Sequence, residues 1–225
     1  MGNTRQRFPF QTKGKGVRMI KEFCNFKKYE AMMGRSFSFF SPNTWTYIGF
    51  FFTIAGFVCI AMDYFWLGVG FFILGGILDE IDGKVARWSG RTTYFGGFAD
   101  GVADRFADFF FIFSFYFLEF PDWIVPTHVL LFLLLFVTLM PPFIVAYASH
   151  RKAIPDPTEK VIWRLSFRIE YYLLFILTLI FSRINIYISF YVMLFTLVLN
   201  TATVIQSIVL AFIRSKDYPQ RPSDT

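Results

Sequence analysis

The chain has 225 residues, of which 55% are hydrophobic and 17% are charged, and its formal net charge is +6. Soluble domains usually carry about 25% charged residues, and a chain this apolar exposes too much hydrophobic surface to remain disordered in water. Two cysteines, Cys24 and Cys59, are too few for a secreted disulfide scaffold. The composition therefore predicts a single domain that lies in a bilayer.

The polar and basic N-terminal segment precedes the apolar part of the chain. Residues 1–16 mix Gly, Gln, Arg and Lys, which predicts a flexible tail. Residues 17–35 alternate basic and apolar side chains, which predicts an amphipathic helix along the membrane interface. The sequence Ser41-Pro42-Asn43 then predicts a break before the first membrane helix.

Uncharged runs predict the membrane crossings, because about 20 largely apolar residues span a bilayer core as a helix. Four runs each predict one crossing, and they are 46–62, 64–78, 123–149 and 184–213. Two shorter runs, 109–118 and 171–182, can cross only if their helices include charged neighbours. The neighbours are Asp100, Asp104 and Asp108 for the first run, and Arg164 and Arg168 for the second. The sequence thus predicts an all-α integral membrane protein with six transmembrane helices at about 46–213, followed by a C-terminal tail at 214–225.

Basic residues orient these helices, since positive charge favours the cytoplasmic side. Nine Lys and Arg lie in residues 1–45, three in 79–93, five in 151–168 and three after Ile213. The loops on the opposite side contain only Arg183. This distribution predicts a multi-pass protein of the cell membrane with both termini in the cytoplasm. Because topology and lipid headgroups account for the positive charge, no nucleic-acid partner is expected.

Acidic residues concentrate at the junction of the second and third predicted helices, where six of the sixteen fall. Asp79 and Asp82 are three residues apart, and Asp100 and Asp104 are four apart, so each pair shares one helix face. A turn at residues 89–94 would bring the two helices together antiparallel and let the four carboxylates converge. Converging carboxylates need a counter-charge, and the hard cations Mg²⁺, Mn²⁺ and Ca²⁺ prefer oxygen ligands. The spacing predicts a divalent metal site facing the cytoplasm.

Small and basic residues around the aspartates indicate a bound ligand. Gly83 and Gly96 lack a Cβ and let a ligand approach the backbone closely, and Arg87 and Arg91 place cations where phosphates could bind the metals. Other glycines indicate close helix packing as readily as ligand binding. These are Gly75, Gly76 and Gly97.

The aspartates belong to a longer pattern, Asp82-Gly83-x2-Ala86-Arg87-x8-Gly96-x3-Asp100-x3-Asp104, preceded by Asp79. At eight specified positions the pattern resembles the signature of the CDP-alcohol phosphatidyltransferases. The segment Pro42-Asn43-x2-Thr46 also resembles the family's sequence before its first helix.

This resemblance implies an enzyme that transfers a phosphatidyl group from a CDP-linked lipid to an acceptor hydroxyl and releases CMP. It implies two ions, Mg²⁺ or Mn²⁺, on Asp79, Asp82, Asp100 and Asp104. It also implies that Asp104 is the general base, and that the protein is a homodimer. The residues implied to contact the CDP group are Asn43, Thr46, Asp82, Gly83, Ala86, Arg87 and Gly96.

The acceptor is indicated by arginines near the membrane, because a cation held there needs an anionic partner and a phosphate suits the guanidinium fork. The candidate residues for the acceptor phosphate are Arg151, Arg168, Arg91 and Arg164. For the basic residues between 151 and 168, the alternative is that their side chains snorkel toward lipid headgroups. Arg105 and residues 90–97 resemble the prokaryotic branch that uses inositol phosphate and makes phosphatidylinositol phosphate or its archaeal ether-lipid counterpart. Glycerol phosphate or serine as acceptor, and CDP-inositol as donor, remain alternatives.

Two functions of other classes fit the sequence less well. A cation transporter with membrane carboxylates would need acidic residues through the depth of the bundle, whereas here they gather at one face. A purely structural membrane scaffold leaves the eight-position pattern unexplained.

Overall fold

The structure is a computed structural model that describes residues 32–90, 92–122, 125–154 and 165–216. Within these ranges the chain is helical and contains no strand. Residues 32–36, at the end of the expected interfacial helix, are helical. The rest of that helix, the N-terminal tail and most of the C-terminal tail lie outside the described residues.

Each of the six predicted segments forms a helix. The helices are α1 (Pro42–Ala61), α2 (Phe65–Ser89), α3 (Tyr94–Ser114), α4 (Thr127–His150), α5 (Arg168–Ser182) and α6 (Ile186–Ser215), and a 3-10 turn at Phe115–Phe117 follows α3. Among the described residues, α1, α4 and α6 are long and apolar enough to cross a membrane. The other three helices, α2, α3 and α5, carry the predicted metal-binding aspartates and Arg168.

The start of α1 differs from the sequence prediction. Ser41 is its N-cap, with its side chain accepting a hydrogen bond from the Thr44 amide, and Pro42 is its first residue. Proline suits this position because the first turn of a helix does not need its missing N–H. The predicted break therefore lies at residues 37–41, and Pro42 and Asn43 already belong to α1, which places Asn43 and Thr46 on its first two turns.

The turn between α2 and α3 lies where the sequence predicts it. Gly90 ends α2 with a φ of 66°, a left-handed conformation that glycine adopts without steric cost. Thr93 caps α3 by accepting a hydrogen bond from the Gly96 amide at 2.9 Å. α1 packs extensively against both helices. α2 and α3 also meet through side chains, since the Phe72 and Phe111 rings stack and three of the four predicted carboxylates converge as expected.

Glycines allow the close contact between α1 and α2. A Cβ on Gly68 would lie 2.8 Å from the Gly56 carbonyl oxygen, and one on Gly75 would lie 3.1 Å from the Gly49 carbonyl oxygen. Small residues permit such backbone approach between membrane helices. For Gly75 the packing interpretation is therefore confirmed.

We expect Gly68→Ala to destabilise this helix pair, since its methyl group would collide with the backbone of α1. Overpacking of this kind costs about 1–3 kcal/mol, which would appear as a lower midpoint of thermal unfolding in detergent. Gly70→Ala is the matched control on the same helix, because a Cβ there meets nothing within 4 Å. Equal unfolding midpoints for the two variants would contradict the packing.

Aromatic side chains hold α5 against α2 and α3. The Phe72 and Phe111 rings stack with centroids 4.0 Å apart, and the Phe175 ring lies 5.4 Å from that of Phe111. The Tyr172 hydroxyl donates to the Phe72 carbonyl oxygen at 2.8 Å. This packing places Arg168, the first residue of α5, beside the aspartates of α2 and α3.

Asp122 organises the loop before α4. Its carboxylate accepts a hydrogen bond from the Thr127 amide at 2.7 Å, and this bond lowers the pKa of the Asp122 carboxyl below its usual value. The side chain thereby satisfies an amide of the first turn of α4, which has no partner within the helix.

Candidate active site

Three aspartates form a carboxylate cluster between α2 and α3, consisting of Asp79, Asp82 and Asp100. One oxygen from each lies within 4.8 Å of the others. Asp82 is 5% exposed and accepts a hydrogen bond from the Thr46 hydroxyl at 2.6 Å. Convergent carboxylate oxygens of this kind fit a hard divalent cation, so the residues present suit the metal that the motif implies.

Asp104, the fourth predicted ligand, lies next to the cluster and is held by Arg168. The Nη1 atom of Arg168 is 2.6 Å from a carboxylate oxygen of Asp104 and also contacts Asp79. The structure thus places Arg168, a predicted acceptor residue, directly on two of the predicted metal ligands.

A buried polar network continues below Asp104. Asp108 is fully buried and accepts a hydrogen bond from the Tyr171 hydroxyl at 3.1 Å. Arg105 bridges the two carboxylates, with its Nη2 atom 3.5 Å from Asp104 and 3.4 Å from Asp108. Asp108 and Tyr171 lie outside the sequence motif. The available signals were the four-residue spacing from Asp104 to Asp108 and the three-residue spacing from Arg168 to Tyr171.

A smaller cavity of about 200 Å³ opens beside the cluster. All seven residues expected to contact the CDP group line it: Asn43, Thr46, Asp82, Gly83, Ala86, Arg87 and Gly96. Its other lining residues are Pro42, Thr92, Thr93, Gly97 and Asp100. The early start of α1 and the short turn before α3 bring these separate segments together.

Gly96 is sterically required in the smaller cavity. A Cβ there would lie 2.9 Å from the Thr93 hydroxyl oxygen and 3.2 Å from the side-chain oxygen of Asn43. A side chain at this position would disturb both the cap of α3 and the cavity wall. At Gly97, by contrast, a Cβ meets nothing within 4 Å, so close packing does not explain that glycine.

A larger cavity of about 840 Å³ lies on the other side of Gly97, which lines both cavities. Asp104, Arg105 and Arg168 line it, and most of its remaining wall is apolar. Pro141 and Pro142 of α4 also line it; having no N–H, they leave carbonyls of the preceding turn without their helical partners. The cavity can therefore accommodate a molecule that presents an anionic group toward Arg105 and Arg168.

Arg151, the other acceptor candidate among the described residues, is not brought to this point. Arg151 is exposed at the end of α4 and lines neither cavity. Arg91 and Arg164 lie outside the described residues. Gly76 packs against α5, where a Cβ would lie 2.6 Å from the Tyr172 ring.

Comparison with known proteins agrees with this arrangement. The model of the family described as CDP-alcohol phosphatidyltransferase matches residues 39–213. The crystal structure of Mycobacterium tuberculosis phosphatidylinositol phosphate synthase (PgsA1) with CDP-DAG bound has a TM-score of 0.67 and 17% sequence identity, covering 87% of this chain and 99% of that chain; at this identity the likeness establishes the fold. No curated protein sequence matches significantly. Because the family match includes all six helices and every motif residue, this chain belongs to the CDP-alcohol phosphatidyltransferase family.

Proposed function

We propose that this enzyme joins a CDP-activated lipid, CDP-diacylglycerol or CDP-archaeol, to inositol phosphate or a similar phosphorylated polyol, with release of CMP. Family membership defines the reaction class, which is transfer from a CDP-linked lipid to an alcohol in phospholipid synthesis. The observation that carries the proposal is the placement of two carboxylates between two cavities. Asp100 lines the smaller cavity, Asp104 lines the larger one, and Gly97 lines both.

The smaller cavity suits the cytidine diphosphate of the donor. Backbone without side chains at Gly83 and Gly96 leaves space for a nucleotide, and Arg87 supplies a cation on the cavity wall. The similar fold of a crystal structure with CDP-DAG bound supports the same placement. We therefore propose that the residues expected from the sequence motif to contact the CDP group do so in this cavity.

The reaction requires a base next to the acceptor hydroxyl. Asp104 takes the hydroxyl proton while the hydroxyl oxygen bonds to the β-phosphorus, and the bond from that phosphorus to the bridging oxygen breaks so that CMP leaves with the electron pair. When bound to Asp79, Asp82, Asp100 and Asp104, two Mg²⁺ or Mn²⁺ ions would neutralise the pyrophosphate and the leaving CMP. Arg105, which contacts the Asp104 carboxylate, keeps it oriented during this step.

The acceptor phosphate is assigned to the arginines of the larger cavity. Arg168 and Arg105 lie at the same end of this cavity as Asp104, and a guanidinium binds phosphate through parallel hydrogen bonds. We retain Arg151, Arg91 and Arg164 as proposed contacts from the sequence.

Separate acceptors test the proposal most directly. Purified protein would receive CDP-diacylglycerol or CDP-archaeol with Mg²⁺ or Mn²⁺, and CMP release would be measured with inositol phosphate, glycerol phosphate or serine. We expect release to depend on the divalent ion and to be stimulated by inositol phosphate. Stimulation by only glycerol phosphate or serine would show that inositol phosphate is not the acceptor. Transfer from CDP-inositol would show that a CDP-linked lipid is not the donor.

The basic residues support the membrane orientation within this proposal. We propose six crossings of the cell membrane, with both termini and the active site on the cytoplasmic side, and the homodimer that the family implies. Reporter fusions at the C terminus would test the orientation, and light scattering in detergent would test the dimer.

Gly96→Ala should weaken donor binding, because its methyl group displaces Asn43 and the Thr93 cap. A cost of about 1.4 kcal/mol raises a dissociation constant about tenfold, which titration with CDP-diacylglycerol would detect. Gly101→Ala is the matched control, since a Cβ there meets nothing within 4 Å and the residue lines only the larger cavity. Unchanged binding in Gly96→Ala would remove Gly96 from the donor site.

A further inference from the structure

The position of Arg168 divides the four motif aspartates into two groups. The carboxylate cluster has its oxygens close enough to share a cation. Asp104 is instead paired with Arg168, whose Nη1 atom also contacts Asp79 of the cluster. One guanidinium therefore occupies oxygens of two carboxylates that the family motif assigns to metal.

These contacts leave part of Arg168 unsatisfied. Its Nε atom is buried and has no hydrogen-bond partner among the described residues, and the nearest carboxylate oxygen, on Asp108, is 3.6 Å away. That separation is too long for a hydrogen bond, and a buried donor without a partner destabilises the arrangement. Arg168 is thus held by a hydrogen bond to Asp79 and an ion pair with Asp104 while its Nε has no partner, so an anionic ligand that satisfies more of its donors could displace the carboxylates.

Arg168 also faces the space assigned to the acceptor. It lines the larger cavity together with Asp104 and Arg105, and 21% of its side chain is exposed. A phosphate entering that cavity would offer the guanidinium two parallel, charge-assisted hydrogen bonds. The same side chain can therefore bind either the carboxylates or an acceptor phosphate.

We propose that Arg168 competes with the divalent cation for Asp79 and Asp104, and that the phosphate of the acceptor relieves this competition by taking the guanidinium. The proposal rests on the proposed function for its acceptor phosphate. By thermodynamic linkage, a ligand that removes Arg168 from the aspartates must raise their affinity for metal, and metal must raise the affinity for that ligand to the same extent. Acceptor and metal binding are thereby coupled before any chemistry occurs.

Equilibrium binding of Mn²⁺, followed by electron paramagnetic resonance, tests this coupling without relying on activity. The full-length protein would be titrated alone, with inorganic phosphate and with inositol phosphate, against protein-free samples at the same phosphate concentration. We expect inositol phosphate to tighten Mn²⁺ binding at least about fivefold, the lower end of typical coupling between sites. Inorganic phosphate should produce a smaller change in the same direction. Equal Mn²⁺ affinity with and without inositol phosphate would overturn the proposal.

Arg168→Gln separates competition from a structural role. This variant should bind Mn²⁺ more tightly than the wild type without phosphate and show no further tightening with it, whereas Arg168→Lys keeps the charge and should remain coupled. Arg183→Gln is the matched control, because Arg183 lies at the opposite end of α5, where its guanidinium carbon is 4.3 Å from the Phe65 ring centroid. Circular dichroism confirms folding; if Arg168→Gln is unfolded, the wild-type titrations decide alone. Mn²⁺ affinity in folded Arg168→Gln equal to or weaker than the wild type would overturn the competition.

The two proposals fail in different ways. CMP release that depends on inositol phosphate, combined with uncoupled Mn²⁺ binding, would overturn the role of Arg168 and leave the acceptor intact. Arg168→Gln could instead bind Mn²⁺ more tightly while phosphorylated acceptors fail to stimulate CMP release. That result would overturn the proposed acceptor and the phosphate-dependent part of this inference.

Discussion

Asp104→Asn should lower the rate of CMP release by about 10²–10⁴-fold, the contribution typical of a positioned general base, beyond any loss of donor binding that follows from removing a metal ligand. The amide has nearly the shape of the carboxylate but cannot take the acceptor's proton. Asp104 does not line the smaller cavity, so the nucleotide contacts remain. Initial rates of CMP release and titration with CDP-diacylglycerol measure the two quantities separately.

The control for Asp104→Asn is a second aspartate outside both cavities. Asp122→Asn removes a carboxylate in the loop before α4 and should keep full activity. Full activity in Asp104→Asn would show that another group takes the proton. A loss of donor binding large enough to explain the whole loss of rate would instead assign Asp104 to metal binding alone.

The composition of the site was predictable because it depends on spacing within helices. Asp79 with Asp82, and Asp100 with Asp104, share faces as soon as the segments are helical, and the turn at Gly90 follows from glycine's access to positive φ. The residues expected to contact CDP came from the family resemblance, and it is the packing of α1 on α2 and α3 that brings all of them to the smaller cavity.

The partner of Arg168 was not predictable, because it depends on how the helices pack. A long cationic side chain near the membrane can pair with an acceptor phosphate, a lipid headgroup or a carboxylate, and the sequence favours none of the three. The choice follows from the packing of α5 through Phe72, Phe111 and Phe175, which brings Arg168 to Asp79 and Asp104.

Asp82→Asn should reduce Mn²⁺ binding more than any other single change in the carboxylate cluster, and CMP release should fall with it. Asp82 is the buried member of the cluster, so an amide there removes a negative charge that solvent cannot replace. Thr46→Val keeps this carboxylate and removes only the hydrogen bond to it, a change that typically lowers metal affinity about 10–100-fold.

The order of Mn²⁺ affinities among matched variants distinguishes a metal ligand from a packing residue. Thr53→Val is the control for Thr46→Val, because the Thr53 hydroxyl donates to the Gly49 carbonyl oxygen within the same helix. We expect affinity to decrease from Thr53→Val to Thr46→Val to Asp82→Asn when nucleotide is absent. Unchanged Mn²⁺ binding in Asp82→Asn would exclude Asp82 from the metal site, whereas equal losses in both threonine variants would assign the effect to α1 packing. Only the predicted order requires the Thr46 hydroxyl to act through the Asp82 carboxylate.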